Sequence, residues 1–412
     1  MHNIPCVVLA GGAGSRLRPL TDVRAKPAVP FGKHRIIDFA IAAAVNGGAK
    51  HIYVVTQYAP DSLIRHVNGF WGPYLGFGRS ITTAQPRHRN DAEAGFSGTA
   101  CAMYQNWHLI ERIRAQVSEV AILSGDHIMV MNMEQMVAWH YEHNSAFTVA
   151  AVTMRREDAA GNFGIFEIDK RYRVQRFVEK PSLDAVPGIP GNPEYCLASM
   201  GNYIANAPTL ATALTHDAHD KSSTHDFGSD VIPRLIASGA RVHAYPFEQD
   251  RTPGQPTPYW RDVGTLTSFY HTLNQMLGHE PPVNMQNPDY PIPSCPDNLP
   301  TAQTLGDNVR TPFSQFAGGA RIDNAYLRWC SIGRRSWVGN HATLDSSHIG
   351  DDVYVGSGTQ LLRVICDKHV RIPDNIKVGF DRDHDNARGF TTVDLNERGE
   401  WLTVIPQGYT IA

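Results

Sequence analysis

A run of small residues followed by basic side chains near the start of this 412-residue chain is suited to chemistry on a polyphosphate. It reads Leu9-Ala-Gly-Gly-Ala-Gly-Ser-Arg-Leu-Arg-Pro-Leu20 and directly follows an apolar segment. Glycines at 11, 12 and 14 let the backbone approach a ligand closely and offer N–H groups to phosphate oxygens, while Arg16 can fork onto a polyphosphate. The run is neither a Walker A loop, which needs Gly-Lys-Ser/Thr, nor a plain dinucleotide fingerprint. By itself it also reads as a tight βα turn carrying a surface arginine. The segment Arg24-Ala-Lys-Pro-Ala28 narrows the choice, because Lys26 precedes a proline in extended chain and, with Arg16, could neutralise a departing pyrophosphate.

These residues need a scaffold, and the first 280 positions supply one by alternating strand-like and helix-like patterns, as an α/β fold with a mainly parallel sheet does. Strands are expected over 5–10, 52–56, 120–124 and 147–152. Amphipathic helices over 37–46, 99–114 and 133–143 would serve as crossovers. Shorter alternating runs at 164–169 and 174–179 read as a hairpin, and 230–238 and 265–277 as helices. Trp71, Tyr74 and Phe77 are expected to pack a long active-site loop. The polar stretch with His216, His219, His225, Asp217, Asp220 and Asp226 reads as a connection between helices, and 381–385 as a solvated acidic loop.

Seven prolines between Glu280 and Pro300 mark an extended linker crossing the surface. Beyond it, aliphatic residues recur every six positions: Ile332, Val338, Leu344, then after a five-residue step Ile349, Val355 and Leu361, and again Cys366, Ile372 and Val378. A small residue often follows. That period suits a parallel β-helix, whose short strands each point one side chain inward before a tight corner. The expected organisation is therefore a domain over 1–279, a linker over 280–304 and a hexapeptide-repeat domain over 305–412.

Composition sets the outer limits. A net charge of −3 provides no long-range field for gathering nucleic acid or an anionic membrane surface. The N-terminal apolar run lacks a basic flank and is too short to span a bilayer, so a cytoplasmic protein is expected. Six cysteines without metal-ligand spacing read as reduced, mostly buried thiols.

The stretch from Val7 to Phe31-Gly-Lys-His-Arg-Ile-Ile-Asp38 resembles the ADP-glucose pyrophosphorylases, or glucose-1-phosphate adenylyltransferases. The resemblance continues through Gly98-Thr-Ala100, Ser124-Gly-Asp-His127, Phe163-Gly164, Phe177-Val-Glu-Lys-Pro181, Leu197-Ala-Ser-Met-Gly201, His225-Asp-Phe-Gly228, Tyr259-Trp-Arg-Asp-Val-Gly-Thr265 and the hexapeptides. It implies a Rossmann-like nucleotidyltransferase domain followed by a left-handed parallel β-helix, with ATP and glucose 1-phosphate as substrates and Mg²⁺ as cofactor. Arg16, Lys26, Asp126 and Asp262 would be catalytic, and Asp126 and Asp262 would hold the metal, since two carboxylates suit a hard cation that bridges phosphates. Asp126 follows an apolar strand and should sit at its carboxyl end, where open α/β sheets bind ligands. The resemblance assigns Leu9, Ala10, Gly11, Gly12, Gly14, Gln85 and Gly98 to the nucleotide. It assigns Gly164, Glu179, Lys180, Ser199 and Phe96 to the sugar phosphate. It also implies a homotetramer regulated by small anionic effectors, with Lys33 and Arg35 among their ligands.

Four positions depart from the family pattern. Cys101 replaces an aspartate after Gly-Thr-Ala, Phe96 a tyrosine, and Ser229 a lysine, while the Phe-Gly-Lys33 turn is one glycine short. These bear on substrate preference and regulation. They leave open a related pyrophosphorylase with another sugar or base, or a non-catalytic regulatory subunit, although the retained phosphate and metal residues argue against the latter.

Overall fold

A computed structural model describes residues 3–86, 95–113, 117–295 and 298–411. The chain forms two compact units whose limits do not follow chain order. The first comprises Met1–Gly12, Phe39–Trp260 and Gln286–Ile292; the second comprises Ala13–Asp38, Arg261–Met285 and Pro293–Ala412. The glycine-rich loop is thus divided after Gly12, and the segment bearing Arg16, Lys26, Lys33 and Arg35 folds with the C-terminal repeats.

The first unit is built on a nine-stranded mixed sheet of β1 (Cys6–Ala10), β2 (His51–Thr56), β3 (Ser80–Ala84), β4 (Glu119–Ser124), β5 (Phe147–Arg155), β6 (Ile165–Ile168), β7 (Val174–Val178), β8 (Tyr195–Asn206) and β9 (Val242–Pro246). Its order is β7-β6-β8-β4-β1-β2-β3, with β5 added on β8 and β9 on β5. Strands β4, β1, β2 and β3 run parallel, so their carboxyl ends share one edge. Long β8 enters antiparallel to β4, β5 and β6, and its register shifts between Ser199 and Tyr203. A shift of this kind bends a strand and re-aims its side chains. The hairpin expected at 164–179 is the antiparallel pair β6–β7. Both faces of β1 and β4 are buried, which explains their near-continuous apolar runs.

The expected crossover helices form as Ile36–Asn46, Thr99–Glu111 and Met133–Glu142; Arg114, the expected end of the second, lies outside the described residues. The helix expected at 230–238 is shorter, Ile232–Ala237, preceded by a wider turn at Phe227–Val231. Trp71 is fully buried and meets Tyr74 edge to face at 5.5 Å, but Phe77 is fully exposed and packs no loop.

In the second unit, short parallel strands stack into three sheets of a left-handed β-helix. One contains Arg321–Asp323, Trp337–Val338, Tyr354–Val355 and Arg371–Ile372; another Tyr326–Arg328, Thr343–Asp345, Gln360–Leu362 and Lys377–Val378. The register explains the five-residue step. Val338 pairs with Val355, Leu344 with Leu361 and Ile349 with Cys366, so each coil takes 17 residues, two steps of six and one of five. Ile332, Val338, Leu344, Ile349, Val355, Leu361, Cys366, Ile372 and Val378 are all 4% exposed or less and form the coil interior. The strand Trp401–Ile405 extends the third sheet beyond Val364–Cys366, and Thr391–Asp394 closes it antiparallel. The expected acidic loop is instead a short helix, Arg382–Ala387, capped by Asp381. Asp385 is buried there, accepting from Gly379 N and Thr403 Oγ1, and burial pushes its carboxyl up. A lone apolar period could not signal this, because the buried atom is a polar one satisfied from a strand far along the chain.

The proline-rich segment has no regular structure among its described residues, but it is anchored. Within the first unit the Tyr290 hydroxyl donates to the Met131 carbonyl at 3.1 Å and Asn46 donates to the Pro291 carbonyl at 3.0 Å. All six cysteines are free thiols, four of them buried. No helix among the described residues is long and apolar enough to cross a membrane.

Candidate active site

In the first unit the carboxyl ends of β1 and β4 lie side by side, and the Gly125 N–H donates to the Leu9 carbonyl at 2.9 Å. A β-carbon on Gly125 would meet that carbonyl at 3.0 Å, so the two chain turns close on each other only because the position is glycine. β4 ends on a fixed point: the Ser124 N–H donates to Oδ1 of the fully buried Asn202, a residue of the β8 irregularity. Two residues on, Asp126 stands partly exposed with Oδ1 accepting from Ser124 Oγ at 2.6 Å. The Trp260 indole N–H donates to His127 Nδ1 at 3.3 Å, which leaves the imidazole proton on Nε2, 3.5 Å from the same Asp126 oxygen. Ser124 and His127 thus orient one carboxylate oxygen, the arrangement by which outer groups aim a metal ligand.

A second constellation lies on β6, β7 and β8. The Ser199 N–H donates to the Gly164 carbonyl at 2.8 Å, joining two expected sugar-site residues. Gly164 has no room for a side chain, since a β-carbon would fall 2.1 Å from Phe177 Cζ and 2.7 Å from Glu179 Oε2. Gly228 faces the same carboxylate, where a β-carbon would lie 2.4 Å from Oε2. Burial between these backbones pushes the Glu179 carboxyl up, against the pull of Lys180, whose Nζ is 3.4 Å away and largely exposed. Lys180 itself has φ +44, a conformation that non-glycine residues rarely adopt, and its N–H donates to the Phe163 carbonyl. A cation held at the mouth of a half-buried carboxylate is suited to a ligand that carries both an anion and hydroxyls.

The remaining expected residues of this unit lie around the parallel strand ends. Gln85 is exposed just after β3, while Gly11 abuts Gln57, which follows β2. The Gln57 amide donates to the Phe96 carbonyl at 3.5 Å. Phe96 is half buried against the core, so its ring packs as a hydrophobe. Gly98 precedes the helix Thr99–Glu111.

The second unit carries its own cluster. Gly14 has φ +62, and a β-carbon there would meet the Lys26 Cβ at 2.7 Å, so the loop folds back onto the Lys26 segment. Thr21 Oγ1 locks this turn by donating to the Gly14 carbonyl at 2.9 Å. Lys26 is 6% exposed, and its Nζ lies 3.0 Å from Asp262 Oδ1, the last residue of the strand Tyr259–Asp262. The Arg16 guanidinium also reaches this place, lying with the Asp262 carboxylate over the bare Cα of Gly264. A buried ammonium demands such a partner, because an unpaired one would lose its charge. Arg24 is anchored separately, donating through Nη1 to both carboxylate oxygens of Asp367 in a fully buried pair.

Lys33 borders a cleft with Pro30, Gly32, Gly333, Gly350 and Asp351. Arg35 is largely enclosed, and burial lowers its guanidinium while Asp38 opposes the shift. In the histidine-rich stretch, His219 turns back onto its own helix at the Thr215 carbonyl and His225 is taken up by Asp217. Gln57, Trp260 and the His225–Asp217 pair escaped the sequence reading. Trp260 adjoins the motif bearing Asp262, whereas nothing in spacing points to Gln57 or Asp217.

Comparison with known proteins places the chain among the nucleotidyl transferases. Residues 6–278 match the family model described as nucleotidyl transferase, and residues 302–396 match the model described as GlmU-like, C-terminal hexapeptide. The chain is 40% identical to a glucose-1-phosphate adenylyltransferase of Deinococcus deserti, with 98% of each chain covered. It is 40% identical to that of Thermus thermophilus at 98% coverage of each, and 39% identical to glucose-1-phosphate adenylyltransferase 2 of Vibrio cholerae at 99% of each. This chain belongs to the glucose-1-phosphate adenylyltransferase family of nucleotidyl transferases.

Proposed function

We propose that this protein transfers the adenylyl group of ATP to α-D-glucose 1-phosphate, giving ADP-glucose and pyrophosphate, the activating step of α-glucan synthesis. The observation that carries the reading is similarity along the whole chain to enzymes of that name. A phosphate oxygen of the sugar phosphate attacks the α-phosphorus of ATP, a bond to the bridging oxygen breaks, and pyrophosphate leaves with the electron pair. Such a transfer needs positioning and charge neutralisation more than covalent help.

Leu9, Ala10, Gly11, Gly12 and Gly14 bring backbone close to the nucleotide, Gln85 reads the base edge, and Gly98 lies on the same substrate. Arg16 and Lys26 neutralise the leaving pyrophosphate. Lys180 takes the phosphate of the sugar, Glu179 accepts from its hydroxyls, and Gly164, Ser199 and Phe96 shape the pocket. Asp126 and Asp262 are oxygen donors of the kind Mg²⁺ prefers, and Asp126 is already oriented by Ser124. When bound, Mg²⁺ supplies charge that stabilises the phosphoryl centre. Before then, Lys26 balances Asp262. The same reading includes a cytoplasmic homotetramer whose activity responds to small anions at Lys33 and Arg35.

The test is a matrix of ATP, UTP, dTTP, CTP and GTP against glucose 1-phosphate, glucosamine 1-phosphate and mannose 1-phosphate, with pyrophosphate release recorded. ATP with glucose 1-phosphate should exceed every other pair by at least tenfold. A different preferred pair, or no turnover, overturns the assignment.

A further inference from the structure

The four residues His225, Asp226, Phe227 and Gly228 connect positions assigned above to different substrates. On one side the His225 carbonyl accepts from the N–H groups of Ala100 and Cys101 at 2.9 and 3.2 Å, occupying two of the orphan donors that begin the helix Thr99–Glu111. Gly98 presses on the same carbonyl, where a β-carbon would lie 2.2 Å from the oxygen. Thr99 Oγ1 donates to Asp226 Oδ2 at 2.8 Å and accepts from Phe227 N–H at 3.0 Å. On the other side Gly228 abuts the Glu179 carboxylate.

What holds this run in place is a buried carboxylate. Asp217, in the last turn of the helix Ala207–His219, is 1% exposed. Its Oδ2 accepts from His225 Nδ1 at 2.9 Å and its Oδ1 from Ser223 Oγ at 2.7 Å, and Ser223 Oγ in turn accepts from the His225 N–H at 2.9 Å. A carboxylate is an acceptor only, so Nδ1 carries the proton. His225 has φ +59, a left-handed conformation that costs energy outside glycine and persists only where its surroundings impose it. Side chain and backbone are thus fixed together, and the fixed carbonyl is the one on which Gly98 rests.

We infer that His225, clamped by Asp217, is a positioning residue that sets the nucleotide-side turn Gly98–Thr99 and the sugar-side carboxylate Glu179 at one mutual spacing. The inference rests on the adenylyl-transfer reading for the identity of the two substrates, but not for the link itself. Without the clamp, the chain at 225 relaxes from its left-handed conformation, the helix start loses its acceptor, and both substrate contacts shift together. Asparagine is the conservative substitute, since its amide can donate to Asp217 and it tolerates positive φ.

The experiment compares wild type, His225→Ala, His225→Asn and Asp217→Ala. Amide hydrogen exchange over residues 98–104, without ligand, reads the link. Initial rates over both substrates read its consequence. Expected are faster exchange in His225→Ala and Asp217→Ala, and about tenfold higher KM for both ATP and glucose 1-phosphate with kcat changed less than about threefold. His225→Asn should recover most of both. A merely structural role would lower the melting temperature and active fraction while leaving KM in place, and that outcome overturns the inference, as does failure of His225→Asn to recover. If wild type turns over neither substrate, the functional reading fails and exchange alone decides: unchanged protection in His225→Ala then overturns the link.

Discussion

Lys26 Nζ and Asp262 Oδ1 lie 3.0 Å apart, and the lysine is almost fully enclosed. A cation placed this way can be neutralised by its carboxylate in the empty enzyme and released to pyrophosphate when the carboxylate finds another partner. On the proposed function the pair would serve both stability and catalysis.

Lys26→Met should lower kcat by about a hundredfold or more, since it removes charge stabilisation at the leaving group. Asp262→Asn should also cost folding stability, roughly 2 kcal/mol after allowance for its partial exposure, because it removes the negative charge that faces a buried ammonium. Single-turnover kinetics and urea denaturation of both variants check this. Undiminished stability in Asp262→Asn would mean that the buried ammonium does not depend on this carboxylate.

Asp126→Asn should weaken Mn²⁺ binding, read directly by electron paramagnetic resonance, and lower turnover by about two orders of magnitude or more. Ser124→Ala should weaken Mn²⁺ binding only several-fold, because it removes one of the groups that orient the carboxylate without removing the carboxylate. Equal losses in the two variants would point away from Asp126 as a ligand.

Lys180→Ala should raise KM for glucose 1-phosphate at least tenfold and change that for ATP less than about threefold. Its high exposure leaves folding untouched, so melting curves should superimpose. Steady-state kinetics with each substrate varied in turn separates the two constants.

Fructose 1,6-bisphosphate, fructose 6-phosphate, pyruvate and AMP should be screened for effects on initial rate in wild type and Lys33→Ala. At least one should change the wild-type rate, with a blunted response in the variant. A ligand shifts a two-state equilibrium only through differential affinity, so a variant that responds identically removes Lys33 from the regulatory site.

Burial holds His348 neutral, pushing it from its ordinary 6.5 down to about 3, and likewise lowers His140 to about 4. Between these values the unfolded chain binds protons that the folded chain does not, so stability rises with pH and is lost as pH falls from 6.5. His348 is bonded to Ser331 through Nδ1 and to Asn274 through Nε2, and an amide offers a donor and an acceptor without titrating in this range. The melting temperature of His348→Gln should therefore decline less between pH 7 and pH 4 than that of wild type. Parallel declines would show that other groups govern acid sensitivity.

Much of this was legible in sequence because it obeys short periods. The strands at 5–10, 52–56 and 120–124 were visible as apolar runs since both faces of the sheet are covered, and the coil interior since its inward residues recur at fixed steps. β8 was not, because a strand that borders three others and breaks register at Ser199 has no single alternation. The same break supplies Asn202 to Ser124, so the element hardest to foresee fixes Asp126. Residues that act at a distance in sequence left no pattern: Asp217 was one acid among several in a polar stretch, and only the fold puts it under His225. The solvated reading of 381–385 holds for Asp381, Asp383 and His384 but not for Asp385, whose burial depends on Thr403.

The Arg24–Asp367 pair bears on how such a protein can be cut and recombined. Both side chains are at most 4% exposed, and Arg24 stands two positions before Lys26. A graft made at the proline-rich segment that brings in a coil without an acid at position 367 would strip the partner from a buried guanidinium, with a penalty of about 3–5 kcal/mol for an orphaned charge. The stretch that bears Arg16 and Lys26 is therefore best inherited together with a coil that supplies an acid at this position. A chimera that respects this keeps residues 13–38, 261–285 and 293–412 from one parent, and its modules are discontinuous in the gene although each is contiguous in space.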